Sequence, residues 1–206
     1  KTWDAAQLKA FLEATRKERL SPLWHLLAMT GLRRGEALGL RWEDVDLEQG
    51  RLAVRRALIP NGAVVVVSEP KTARGRRTVA LDPETVEALK RQATRQLEDQ
   101  ASRKNWRDTG LVFTKEDGEA WHPEVITRFF QQAVKRSKLP RIRLHDLRHT
   151  HATLALRAGI HPKVVSERLG HATISITLDT YSHAIPAMQE EAAARIAELV
   201  FAAADR

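Results

Sequence analysis

The chain has 206 residues, 43% of them hydrophobic, no cysteine and a formal net charge of +8. That length buries a core for one domain or at most two small ones, and no apolar run approaches the roughly 20 residues that span a bilayer. Without cysteine there is no disulfide frame and no thiol chemistry, while the basic surplus favours a polyanionic partner, most simply nucleic acid.

The first residues, Lys1-Thr2-Trp3-Asp4, carry no secretory pattern. Asp4 to Thr15 reads as a helix with Leu8, Phe11 and Leu12 on one face. Pro22 to Thr30 reads as a second, strongly apolar helix that Gly31 stops, and a third runs from Arg33 to Leu40. The period then changes. Arg51 to Ile59, Ala63 to Glu69 and Arg77 to Leu81 are β-rich runs separated by Asn61-Gly62 and Ala73-Arg74-Gly75, which predicts a small antiparallel meander. Helical periodicity returns after Asp82-Pro83, with Val86, Leu89, Ala93 and Leu97 in step. His122-Pro123 opens another helix, whose stripe is Val125, Ile126, Phe129, Phe130, Ala133 and Val134. After Pro140 come shorter helices at 145–158, 162–169, 173–182 and 186–204, punctuated by Gly159 and Gly170. The expected fold class is mainly α (α+β): a helical domain with a small three-stranded antiparallel sheet. The linker-like stretch from Ser102 to Thr109 is too short to divide it.

Four elements bear chemistry. His145 and Arg148, three apart on a helix, share a face away from Leu144, Leu147, His151 and Leu154. One can exchange a proton and the other can grip a phosphoryl oxygen with two bonds. Tyr181 is the only tyrosine and lies in a polar stretch, with His171 ten residues before it after Leu169-Gly170. Arg33 follows the Thr30-Gly31-Leu32 helix stop, a geometry that can aim a side chain into a cleft, and Glu36 can hold that arginine or its backbone. Lys71 opens the hairpin loop from Lys71 to Arg76, from where a lysine can reach a bound polyanion. Each element taken alone is better explained by an ordinary surface or packing role.

In this order, however, they resemble a known pattern. TGLRRGEALGLRWEDVD, the lysine of EPKTARGRRTVAL, HDLRHTHATLALRAG and ERLGHATISITLDTYSH resemble the catalytic domain of the tyrosine recombinase, or phage integrase, family over essentially the whole chain. The resemblance carries the family's catalytic set onto Arg33, Lys71, His145, Arg148, His171 and Tyr181. Some family members have tryptophan at the position of His171.

The resemblance implies a site-specific DNA recombinase that needs neither metal nor other cofactor nor ATP. Tyr181 would attack a backbone phosphorus to give a 3′-phosphotyrosyl enzyme and a free 5′ hydroxyl, storing the bond energy covalently. A phenol with an ordinary pKa near 10 needs help in losing its proton, a role the resemblance gives to His145. Arg33 and Arg148, with His171, would hold the non-bridging oxygens, and Lys71 would protonate the leaving oxygen. The implied partners are double-stranded DNA and, once assembled on it, a homotetramer linked through the 185–206 helix. That helix has an apolar stripe of Ile185, Met188, Ala192, Ile196, Leu199 and Val200 that equally suits packing on its own domain. The expected setting is the cytoplasm of a prokaryotic or phage-infected cell, with no membrane partner. Residues 1–206 read as the catalytic domain alone, without the N-terminal DNA-binding domain that family members usually carry.

Three other readings are open. A type IB topoisomerase shares the tyrosyl chemistry and would relax supercoils without recombining two sites. A non-enzymatic helix-turn-helix protein would use Leu154 to Ile160 and Val164 to Leu169, leaving Arg33, Lys71 and Tyr181 without a role. A metal hydrolase would use the His145, His149 and His151 cluster, although no HExxH pattern is present.

Overall fold

The computed structural model describes residues 1–68, 76–181 and 186–201. Helices α1 (Ala5–Ala14), α2 (Ser21–Thr30) and α3 (Arg34–Leu38) come first, then a 3-10 turn at Trp42–Asp44. Strands β1 (Val45–Asp46), β2 (Arg51–Val54), β3 (Ala57–Asn61), β4 (Val64–Ser68) and β5 (Arg77–Ala80) follow. The rest is helical: α4 (Pro83–Ser102), α5 (Pro123–Arg136), α6 (Asp146–Arg157), α7 (Pro162–Leu169), α8 (Ile174–Tyr181) and α9 (Pro186–Phe201).

The helix boundaries follow local chemistry. Asp4 caps α1 by accepting from Gln7 N at 2.8 Å, and the Gln7 side chain returns a bond to the Asp4 amide. Asp82 does the same work at α4, accepting from the amide and the hydroxyl of Thr85. Proline occupies the first turn of α2, α4, α5 and α7, where its missing N–H is no loss. Gly31 ends α2 in the left-handed region at φ 67°.

The mainly helical fold with small antiparallel sheets agrees with expectation, but the meander divides differently. β2 lies between β1 and β5, with Leu52 opposite both Val45 and Val79, while β3 and β4 form a separate hairpin about Gly62. The run from Arg51 to Ile59 therefore breaks in its middle. Arg55 and Arg56 leave the strand because both guanidinium groups reach Asp44, the second at 2.7 Å.

The main core joins α1, α2 and α5 through an aromatic cluster. Trp3, Trp24, Phe11 and Phe130 are all within 2% of full burial, and Phe130 meets Phe11 and Trp24 edge-on at 5.4 and 5.5 Å. On α4 the buried face is Thr85, Ala88, Leu89 and Gln92, so Leu97 from the expected stripe lies exposed. Gln92 is drawn inwards because its side-chain amide donates to Val112 O at 2.9 Å. A second, smaller cluster of Ala152, Leu156, Val165, Leu169 and Tyr181 lies under α6, α7 and α8. α6 bridges the two, with Leu147 in the first and Ala152 and Leu156 in the second.

Among the described residues no helix is long and apolar enough to cross a membrane. Every side chain described on α9 is exposed, Ile196, Val200 and Phe201 included.

Candidate active site

Five of the six expected residues meet at one cleft. Its lining includes Arg33, His145, Arg148, His171 and Tyr181, joined by His149. Lys71 lies outside the described residues.

Arg148 is 4% exposed, so it does not project from the surface of α6 as the helical spacing suggests. Its guanidinium donates to Gly31 O and to Leu169 O, each at 2.7 Å. Those carbonyls belong to the C-terminal ends of α2 and α7, where the helix dipole is negative and the last acceptors lack helical partners. The same end of α2 receives two further groups. Ala28 O lies 3.1 Å from His151 Nδ1, and Met29 O accepts from Arg168 at 2.9 Å. Arg168 Nε also donates to His151 Nε2 at 3.2 Å, so the proton of His151 belongs on Nδ1. Burial, with the charge of Arg168 beside it, lowers the His151 pKa to about 4 and keeps it neutral.

Arg33 sits in extended backbone between α2 and α3. Glu36, buried one turn later, accepts from the Arg33 amide at 2.9 Å and from its guanidinium at 2.8 Å. The other side of that carboxylate takes two bonds from Arg77, at 2.9 and 3.2 Å, and Arg77 Nε donates to Arg168 O at 2.8 Å. Burial works against a charge on Glu36, but Arg77 and Arg33 outweigh it and hold the pKa below the usual carboxylate value. One carboxylate thus orients two arginines, which leaves the cleft with surplus positive charge.

His171 is placed by the end of α7. Gly170 adopts φ 68°, its amide donates to Glu167 O, and the His171 amide donates to Ser166 O at 3.0 Å. This is the paired closure that turns a chain sharply off a helix. His171 Nδ1 then lies 2.8 Å from the hydroxyl of Thr177, which is fully buried on α8. Burial first, and then the neighbouring Arg148, Arg33 and Arg77, lower the His171 pKa to about 4. At neutral pH it is an uncharged imidazole that can donate from Nε2.

Tyr181 is 2% exposed, its ring packed in the smaller cluster and its hydroxyl at the cleft. Burial raises its pKa, with Arg148 opposing, so the phenol is protonated at neutral pH. Its oxygen lies 2.9 Å from His149 Nδ1. His145, at the start of α6, meets His149 edge-on with centroids 4.9 Å apart. Burial lowers the pKa of both imidazoles, with His149 and Arg148 adding to the effect at His145.

The sequence pointed to His149 only within the His145, His149 and His151 cluster, as a metal-ligand candidate, and His145 and His149 share one face of α6. The structure turns that face to Tyr181, and among the described residues no three His, Asp or Glu side chains gather as a metal's ligands. The helix-turn-helix segment does form from α6 and α7, and the site uses the start of one and the end of the other. Arg77, Thr177 and Arg168 were not singled out in the sequence, and His151 only as a member of the three-histidine cluster. Arg77 and Arg168 meet partners far along the chain, and no local pattern marks Thr177, six residues from His171.

Known proteins resemble this chain in sequence and in fold. The chain is 33% identical to a tyrosine recombinase XerC-like protein of Caldanaerobacter subterraneus subsp. tengcongensis, over 96% of its own length and 54% of the relative's. It is 29% identical to the ICEBs1 integrase of Bacillus subtilis, over 97% and 55% respectively. It therefore spans about half the length of these curated relatives. Among solved structures, the Tn1549 transposon integrase in complex with circular intermediate DNA matches 95% of this chain and 67% of that one, at 27% identity and TM-score 0.81. XerA recombinase matches 93% of this chain and 64% of that one, at 26% identity and TM-score 0.74. Residues 1–188 match the sequence pattern of the Phage integrase family, and with this fold and these relatives the chain belongs to that family.

Proposed function

We propose that this chain is the strand-cleaving and strand-joining part of a site-specific DNA recombinase, with Tyr181 as nucleophile. The observation that carries the proposal is the convergence of a protonated phenol, two arginines and three neutral imidazoles on one cleft. A phosphodiester already carries one negative charge and gains more as its phosphorus becomes five-coordinate. Arg148, anchored by two helix ends, and Arg33, anchored by Glu36, are fixed donors before any substrate arrives. Donors fixed in advance contribute more to a transition state than flexible ones, typically a few kcal/mol each. His171 adds an uncharged donor. Tyr181 forms its ester with the phosphorus as the 5′ oxygen leaves, and that oxygen takes a proton, for which Lys71 is the proposed source. A 5′ hydroxyl from a partner duplex then attacks the phosphotyrosine and releases Tyr181.

Support for DNA as substrate comes from the net charge of +8 and from relatives whose solved complexes contain DNA. The exposed apolar side chains of α9 suit docking on a neighbouring protomer, and hence the proposed tetramer on DNA.

A suicide duplex, nicked so that the cleaved strand diffuses away, tests the proposal. The protein should become covalently attached to DNA, with the modification mapping to Tyr181, and attachment should persist in EDTA. Tyr181→Phe should abolish the adduct and leave DNA affinity nearly unchanged. An adduct formed by the Phe variant, or activity that vanishes with chelation and returns with a divalent ion, would overturn it.

A further inference from the structure

For Tyr181 to attack phosphorus its proton must leave, and Arg148 and Arg33 can only donate. Family resemblance offers His145 as the acceptor, but a different imidazole touches the hydroxyl. Tyr181 Oη is 2.9 Å from His149 Nδ1, and the two rings lie 5.7 Å apart at a tilt of 55°. No hydrogen bond joins His145 to Tyr181 among the described residues; His145 packs against the edge of His149 instead. Resting on the recombinase reading above, we propose that His149 is the catalytic base that removes the Tyr181 proton.

The step balances without a further reactant. As the Tyr181 oxygen bonds to phosphorus, its proton passes to His149 Nδ1 and the bond from phosphorus to the 5′ oxygen breaks. The 5′ oxygen takes a proton from the acid on the opposite side. When the 5′ hydroxyl of the partner strand attacks, its proton passes to that same acid, now deprotonated, and His149 returns its proton to the departing phenol. This requires a neutral His149 with its proton on Nε2. The charged and titratable groups that bear on it are His145, Asp146, Arg148 and Arg143 from α6 and the segment before it, Tyr181 from α8 and His171 after α7. Asp146 favours the charged imidazole, and its carboxylate is itself held by Arg143 at 2.9 Å. Burial above all, with Arg148 and Arg143, favours the neutral one, and the balance lowers the pKa.

Rates of adduct formation on the suicide duplex, measured in a single turnover from pH 5.5 to 9, test the assignment. The wild-type rate should rise as His149 loses its proton below pH 6.5 and then level off. His149→Ala should be slower by roughly 10²-fold at neutral pH, the usual scale of general-base catalysis. Its rate should keep rising with pH, because hydroxide must take over. His149→Asn places an oxygen where Nδ1 stood, so it retains a hydrogen-bond acceptor that takes no proton. It should stay as slow as the alanine variant. Recovery of the wild-type rate by His149→Asn would show that His149 only positions the phenol, and a level profile in His149→Ala would remove it from the step altogether.

Nitrogen-15 spectra of the imidazoles in the DNA-free protein supply a readout independent of activity. His149 should carry its proton on Nε2, and its Nδ1 signal should move in Tyr181→Phe. A proton found on Nδ1 would overturn the proposal. A protein that attaches to no duplex while showing the expected spectra would instead sink the recombinase reading, and the proton step with it.

Discussion

Arg148 has a structural duty and a proposed catalytic one, and a single substitution removes both. Its guanidinium closes the C-terminal ends of α2 and α7 while facing the cleft, so removing it leaves Gly31 O and Leu169 O buried without donors. Each stranded acceptor costs about 1–3 kcal/mol. Arg148→Ala should therefore lower the unfolding free energy by about 2–6 kcal/mol in urea titration, besides abolishing adduct formation. Arg33, more exposed and held by Glu36, should lose activity on replacement by alanine with a much smaller change in stability. Family resemblance singled out Arg33, His145, Arg148, His171 and Tyr181 by their distinctive local wording, and the fold gathers these five at one cleft. The contact between His149 and Tyr181 was not legible, since it joins two helices across a chain separation that no periodicity spans. Nor was the burial of Arg148, because helical spacing reports a shared face and not what covers that face.

Gly170 shows how an element boundary sets a site. It needs a positive φ, and a side chain there would place Cβ 2.8 Å from the Arg77 guanidinium that braces Glu36. Gly159 has a similar φ of 79° but open space around it. Gly159→Ala should thus cost only the left-handed backbone penalty, about 1–2 kcal/mol. Gly170→Ala should cost more in thermal unfolding and also slow adduct formation by displacing Arg77 and His171. Equal effects of the two on activity would contradict this link. Most helices were legible from their punctuation: Asp4, Asp82, the prolines of the first turns, Gly31 and Gly170 all stand where the sequence places them. The sheet was less so. Composition marks residues 51–59 as one strand, whereas the carboxylates of Asp44, for both arginines, and Glu43, for Arg56, draw Arg55 and Arg56 out of it. The inward face of α4 was likewise misjudged from apolar spacing, because Thr85 and Gln92 are buried through hydrogen bonds that hydropathy does not count.

The molecule as a whole should be sensitive to mild acid. His151 and His171 have folded-state pKa values of about 4, against an unfolded value near 6.5. Between those limits the unfolded chain binds protons that the folded chain refuses, so stability falls as pH drops from 6.5 towards 4 and is insensitive to these groups above that window. His151, the more deeply enclosed, should contribute a slope of about 1.4 kcal/mol per pH unit at most. Thermal melts across the window should show a steep fall that His151→Asn makes shallower. The net charge belongs to the same scale: affinity for duplex DNA should drop steeply between 50 and 200 mM salt, as counterion release requires. Binding that is tight and indifferent to salt would argue against a surface that works by its charge.

Tyr181 belongs to a cluster of five buried residues that stands apart from the aromatic heart of the domain. Small packing units open more readily than large ones, so warming should loosen α7 and α8 while α1, α2 and α5 remain intact. Heat would then silence the protein before it unfolds. Amide exchange should run faster through residues 162–181, and cutting power should fade at temperatures where the bulk helical signal is still unchanged.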